Sequence, residues 1–229
     1  MPDTAITYRR TIQLLSFLGL EPEKAIPILR AQNPSRSVDG LHTSALEQLV
    51  PVENQRKALL EIYAIEKEKD ILKGDQQQVS ALFALETTLL QKREQWLSRP
   101  IRTLMDQTFV VNPNIKTYES DRNWDIDPKG NAAVHFQAIL ESGEGDYYFA
   151  LIKTGSYDSI LQSNVLEIPL SEYQNFLLYH FERPITIGSA MHFFKEQFSP
   201  ETTDEAQQLD TLTDLLLQAL LFHMLIVGT

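Results

Sequence analysis

Apolar residues recur along this chain at two spacings, and the change from one to the other suggests where it divides. Over the first hundred residues the spacing is helical. Ile6, Ile12, Leu15 and Leu18 or Phe17 fall near helical spacing between Thr4 and Leu20. Pro22 starts a second segment, PEKAIPILRAQ, whose internal Pro27 predicts a short or kinked helix. Ser44 to Leu49 reads as a short helix that must end or bend at Pro51. From Asn54 to Lys73, the positions of Leu59, Leu60, Ile62, Tyr63, Ile65 and Ile71 predict a helix stopped by Gly74. Its charged run, Glu66 to Asp70, reads as a solvated face with i,i+3 and i,i+4 pairs. Asp75 and Gln78 look like a cap pair for a further helix carrying Val79, Leu82, Leu85, Leu89 and Trp96. That helix ends before Pro100, and a short one, Ile101 to Met105, leads into a strand, TFVVN.

Turn chemistry is densest between 106 and 130, in NPN, DRN and DPKGN, and a boundary is expected there. Alternation then predicts two strands, Ala132 to Leu140 and Tyr147 to Lys153, joined by the glycine-containing turn ESGEGD. In the first strand, His135 would point away from Val134 and Phe136. After a long loop, Thr154 to Ser163, a third strand NVLEIPL runs into three helices. Ser171 and Gln174 form a capping box, Pro184 ends the first helix, and Thr186 or Ile187 starts the second. Thr202 and Glu205 form another candidate box before a last helix carried by Leu209, Leu212, Leu216, Ala219, Leu220 and His223 into LLFHMLIVG. The expected fold class is therefore α+β, mostly α. Its parts are a helical domain over 1–106, a linker and strand over 107–131, and a small winged-helix-like domain over 132–229.

Charge narrows the function. Residues 1–100 balance 13 basic against 13 acidic side chains, whereas residues 101–229 hold 7 against 18 and carry the whole net charge of −11. Binding to DNA rests on neutralising phosphates, and the last two helices offer only Lys195. No nucleic-acid partner is expected; an acidic module suits a basic or mixed peptide, or a basic patch on a protein. The chain has no cysteine, which excludes disulfides and thiolate metal sites. Charges interrupt the first residues where a signal peptide is apolar, and Gln218 and His223 break the longest apolar run. A cytoplasmic protein without membrane attachment is expected.

Local signatures of catalysis are missing. There is no glycine-rich phosphate loop, no GxSxG elbow and no HExxH. His42, His135, His180, His192 and His223 have no metal spacing, and His180 and His223 read as helix-face residues packed at the core or its boundary. In DRNWDIDPKGN, Gly130 sits where a calcium loop starting at Asp125 wants glycine. Lys129 takes a ligand position, however, and Phe136 stands in place of the final glutamate, so a surface turn is expected. No cofactor, metal or catalytic residue is assigned. The aromatic residues Tyr147, Tyr148, Phe149, Tyr157, Tyr173 and Tyr179 read as core, or else as the lining of a binding groove.

The stretch VLEIPLSEYQNFLLYHF, followed by PITIGSAMHFF and a leucine-rich last helix, resembles the pyrroloquinoline-quinone peptide chaperone family and related precursor-peptide recognition elements. The likeness covers the last hundred residues. It implies a winged helix in which a peptide adds as a strand along Val165 to Leu170 against the last helix. Contacts would come from Val165, Leu166, Ile168, Leu170, Thr211, Leu215 and Gln218. Pro169 is tolerated in an edge strand. The protein would then be a non-catalytic adaptor bringing a precursor peptide to a modifying enzyme, with the helical domain docking on that enzyme. Two other readings stay open: an enzyme subunit with a site at the domain junction, and an acidic structural or regulatory partner.

Overall fold

A computed structural model describes residues 8–31, 41–74, 87–88, 91–92, 95–96, 98–125, 132–142, 144–156, 159–198, 205–222 and 224–228. The cap pair Asp75/Gln78, Thr202 of the pair Thr202/Glu205, the DPKGN turn and His223 lie outside them. The chain forms two compact units that interleave along the sequence: Met1–Leu72 with Ser120–Asp146, and Lys73–Glu119 with Tyr147–Thr229. The class is α+β, and the described residues form two small three-stranded antiparallel sheets, built, except for Ser120, from segments of the second unit.

The first unit is helical: α1 (Arg9–Phe17), α2 (Pro22–Ala31), α3 (Leu41–Leu49), α4 (Glu53–Lys73) and α5 (Ala132–Glu141). Leu14 and Leu15 of α1 and Ala58, Leu59 and Ile62 of α4 are fully buried, so the helical spacing of the sequence is the packing stripe. Gly74 leaves α4 with φ +45°, a conformation that side chains with a Cβ resist. The expected solvated face needs a correction at Glu66, which is 3% exposed. The residue at the N-cap of α1, Tyr8, makes no side-chain cap bond. Instead Glu66 accepts from the backbone N–H groups of Arg10 (2.8 Å) and Thr11 (3.0 Å) and from the Thr11 hydroxyl (2.6 Å). A helix N-terminus leaves such N–H groups without intrahelical acceptors and attracts negative charge. One carboxylate thus serves as a remote cap.

A second polar knot returns the 120–125 stretch to α4. Arg122, 2% exposed, donates from Nη1 to Glu61 Oε2 (2.7 Å) and from Nη2 to the side-chain Oδ1 of Asn54 (2.5 Å). The Ser120 hydroxyl bonds Glu61 as well, and Asn54 Nδ2 donates to the carbonyl of Leu140 in α5 (2.7 Å). Beyond it, Ala132 to Leu140 is a helix, not the expected strand. Phe136 and Ile139 are buried three residues apart while Val134 is 62% exposed. The alternation Val134, Phe136 is compatible with both periods, and packing of Phe136 against Phe17 at 6.0 Å selects the helical one. His135 accordingly lies on a helix, and ESGEGD does not join two strands.

In the second unit, β1 (Thr108–Val111) lies between β5 (Ile185–Thr186) and β6 (Leu225–Val227). The other sheet runs in the order β2 (Ile115–Ser120), β3 (Tyr147–Ser156), β4 (Ser159–Leu170). Helices α6 (Glu172–His180), α7 (Ile187–Phe198) and α8 (Glu205–Leu221) follow. The hairpin is therefore β3–β4, antiparallel from Tyr148 opposite Leu170 to Ser156 opposite Ser159. Most of the loop expected over Thr154 to Ser163 is strand. In β3 four consecutive residues, Phe149 to Ile152, are at most 2% exposed, as befits a central strand covered on both faces. The core packs Trp96 edge-on against Phe109 and gathers Ile152, Leu170, Leu177, Ala190 and Leu216.

The final apolar run also divides. Instead of continuing as helix, the chain leaves α8 at Leu221, and Met224 N–H bonds back to the Ala219 carbonyl (2.7 Å). Leu225, Ile226 and Val227 then pair with Val111, Val110 and Phe109. Gly228 continues this contact: a Cβ there would lie 3.0 Å from Thr108 Cγ2 and 3.1 Å from Pro184 Cβ, so glycine permits the close approach.

Candidate functional site

The candidate site is the outer edge of β4 and the adjoining part of α8. Strand β4 is terminal in its sheet: β3 covers one side, and among the described residues no strand pairs with the other. Such an edge presents backbone N–H and C=O groups to any extended chain that arrives. Side chains alternate along it. Leu170, Ile168 and Leu166 form one row, opposite Tyr148, Ala150 and Ile152. Burial falls along this row from Leu170, 8% exposed, through half-buried Ile168 to Leu166, 45% exposed. The row thus begins in the core and ends as an accessible apolar position.

Val165, Glu167 and Pro169 form the opposite row. Tyr118 of β2 donates its hydroxyl to Glu167 (2.5 Å) and stacks on Phe149 of β3 at 5.1 Å. This line of contacts crosses all three strands. Val165 is half-buried and lies across from Lys153.

The cap of α6 links the end of β4 to α8. Ser171, the residue after β4, accepts from the N–H of Gln174 (3.2 Å), and Gln174 Oε1 accepts from the N–H of Ser171 (2.8 Å). The expected capping box is present. Gln174 Nε2 then donates to Gln218 Oε1 of α8 at 2.5 Å. Gln218 is in this way placed beside the start of α6, next in sequence to Leu170. Leu215 is 8% exposed and shares the core with Leu170; Thr211 is exposed one turn earlier on α8. Leu170, Ile168, Leu215 and Gln218 thus gather through the core and the cap, while Val165 and Leu166 lie farther along the strand. The role of Gln174 as the link was not visible in sequence, which shows only its local half, the capping box.

Among the described residues no group of three or more histidine, aspartate or glutamate side chains could hold a metal ion. His180 is half-buried and stacks on Phe193 at 4.9 Å with an edge contact to Phe176, so its ring is used in packing. No described helix is long and apolar enough to cross a membrane. Neither the protein-family models nor the curated proteins compared with this chain give a match.

Proposed function

We propose that this protein is a cytoplasmic, non-catalytic adaptor that captures an extended precursor peptide on the edge of β4 and presents it to a modifying enzyme. The observation that carries this reading is the terminal place of β4 in its sheet among the described residues, with Leu166 exposed in a row whose other end is anchored in the core. The β3–β4 hairpin that runs through the Ser171 cap into α6, with α7 and α8 after it, is the part of the layout that supports the winged-helix resemblance. An added strand takes affinity from backbone hydrogen bonds and specificity from alternate side-chain contacts. Ile168 and Leu166 supply apolar contacts, and Gln218, held by Gln174, supplies a polar one. The acidic character of residues 101–229 favours a peptide with basic residues.

The test is affinity capture with the tagged full chain from its native cytoplasm, read by mass spectrometry for peptides and proteins. The expected result is a short peptide together with a modifying enzyme, with the peptide lost in Leu166→Asp. Because Leu166 is largely exposed, that variant keeps its fold, which circular dichroism checks. Recovery of one large protein and no peptide, or equal peptide capture by Leu166→Asp, refutes the proposal.

A further inference from the structure

A different surface, at the opposite edge of the β2-β3-β4 sheet, has the chemistry of a second recognition site. Two clefts adjoin along β2 and α6, sharing Thr117 and Glu182. The first, about 400 Å³, is walled by Tyr118, Tyr148, Phe176 and Tyr179 and carries the carboxylates of Glu119, Glu172 and Glu182. The second, about 770 Å³, is mainly apolar, with Val111, Ile115, Leu178 and Ile226 in its lining. Both volumes lie in the range of about 300–1,000 Å³ usual for binding clefts. Among the described lining residues Lys116 is the one cation, and it belongs to the apolar cleft. None of the three carboxylates forms an ion pair with a described residue. Aromatic faces beside carboxylates suit a guanidinium, which stacks on rings and bonds carboxylates through a planar fork.

Spacing extends the argument from one side chain to a segment. Glu172 opens α6 and Glu182 lies two residues past its end at His180, so at about 1.5 Å per residue the helix alone spans about 12 Å between them. An extended chain with arginines at alternate positions spreads three of them over about 13 Å. We propose that this cleft binds a partner protein through an extended arginine-rich segment flanked by apolar residues. Its arginines lie over Tyr118 and Tyr179 against the carboxylates, and its apolar flank enters the adjoining cleft. This goes beyond peptide capture at β4 and does not depend on it, since β2 and β4 are opposite edges of the sheet.

The test uses the full chain and the synthetic peptide Ac-Arg-Ala-Arg-Ala-Arg-NH2, followed by nuclear magnetic resonance titration at physiological salt. Saturable shifts are expected at Thr117 to Glu119 and Glu172 to Glu182. The citrulline counterpart, equal in shape but uncharged, should not produce them. Glu172→Gln/Glu182→Gln should weaken binding at least about tenfold, the loss expected for charge-assisted hydrogen bonds. Asp210→Asn/Asp214→Asn removes the same charge from exposed positions of α8 and should change affinity less than about twofold, as screened surface charges do. Equal weakening in the two double variants, or binding of the citrulline peptide, overturns the proposal.

Discussion

Replacing Arg122 with methionine should unfold the first unit at a much lower urea concentration. The guanidinium is 2% exposed and its partner Glu61 has a side chain 18% exposed, so solvent screens this pair poorly. The substitution removes the bonds to Glu61 (2.7 Å) and Asn54 (2.5 Å) while nearly conserving volume. Each hydrogen bond to a charged group contributes about 1.5–3 kcal/mol, and stranding one member of a buried pair costs about 3–5 kcal/mol. A loss of about 4 kcal/mol follows. With a urea dependence of about 2 kcal/mol per molar, the midpoint falls by about 2 M. The chain has two tryptophans, Trp96 and Trp124. In a Trp96→Phe background the fluorescence of Trp124, 1% exposed and two residues from Arg122, reports this unit. Adding Glu61→Leu should restore at least half of the loss, because no buried charge is then left without a partner. A midpoint shift under about 0.5 M, or no recovery in the double variant, refutes the view that this knot holds the returning segment.

Two further outcomes test the polar framework. Ser171→Ala should cost about 1 kcal/mol, the usual loss for an N-cap, and should speed amide hydrogen exchange at Gln174; unchanged exchange there would contradict the capping role. Burial, reinforced by Tyr63 and Asp70 and opposed by Arg30, pushes the Tyr8 hydroxyl up to about 12 from its usual 10. The unfolded chain therefore releases this proton near pH 10 while the folded chain keeps it until about 12, so stability present below pH 10 should fall as pH rises through that window. Tyr8→Phe should flatten the fall in alkaline urea melts, and identical slopes would count against it.

The sequence alone determined what depends on local spacing. The stripes of α1 and α4, the stop at Gly74, the strand over TFVVN and the capping box of Ser171 and Gln174 are all legible there. Each follows from a period or a reciprocal pair within a few residues. Residues 132–140 are ambiguous in sequence because an apolar run with alternating bulk fits both periods until something packs on it. The end of α8 is ambiguous for a related reason: Leu225 to Val227 suit a helix or a strand, and only β1 as a partner selects the strand. The candidate site divides in the same way. Its strand and its cap were readable, but the terminal place of β4 in the sheet and the bond from Gln174 to Gln218 required the tertiary structure. Glu66, which reads as one more solvated charge, lies 55 and 56 residues from the amides it caps. No local pattern encodes a partner at that distance, so only folding decides which carboxylate stays in water and which closes a helix.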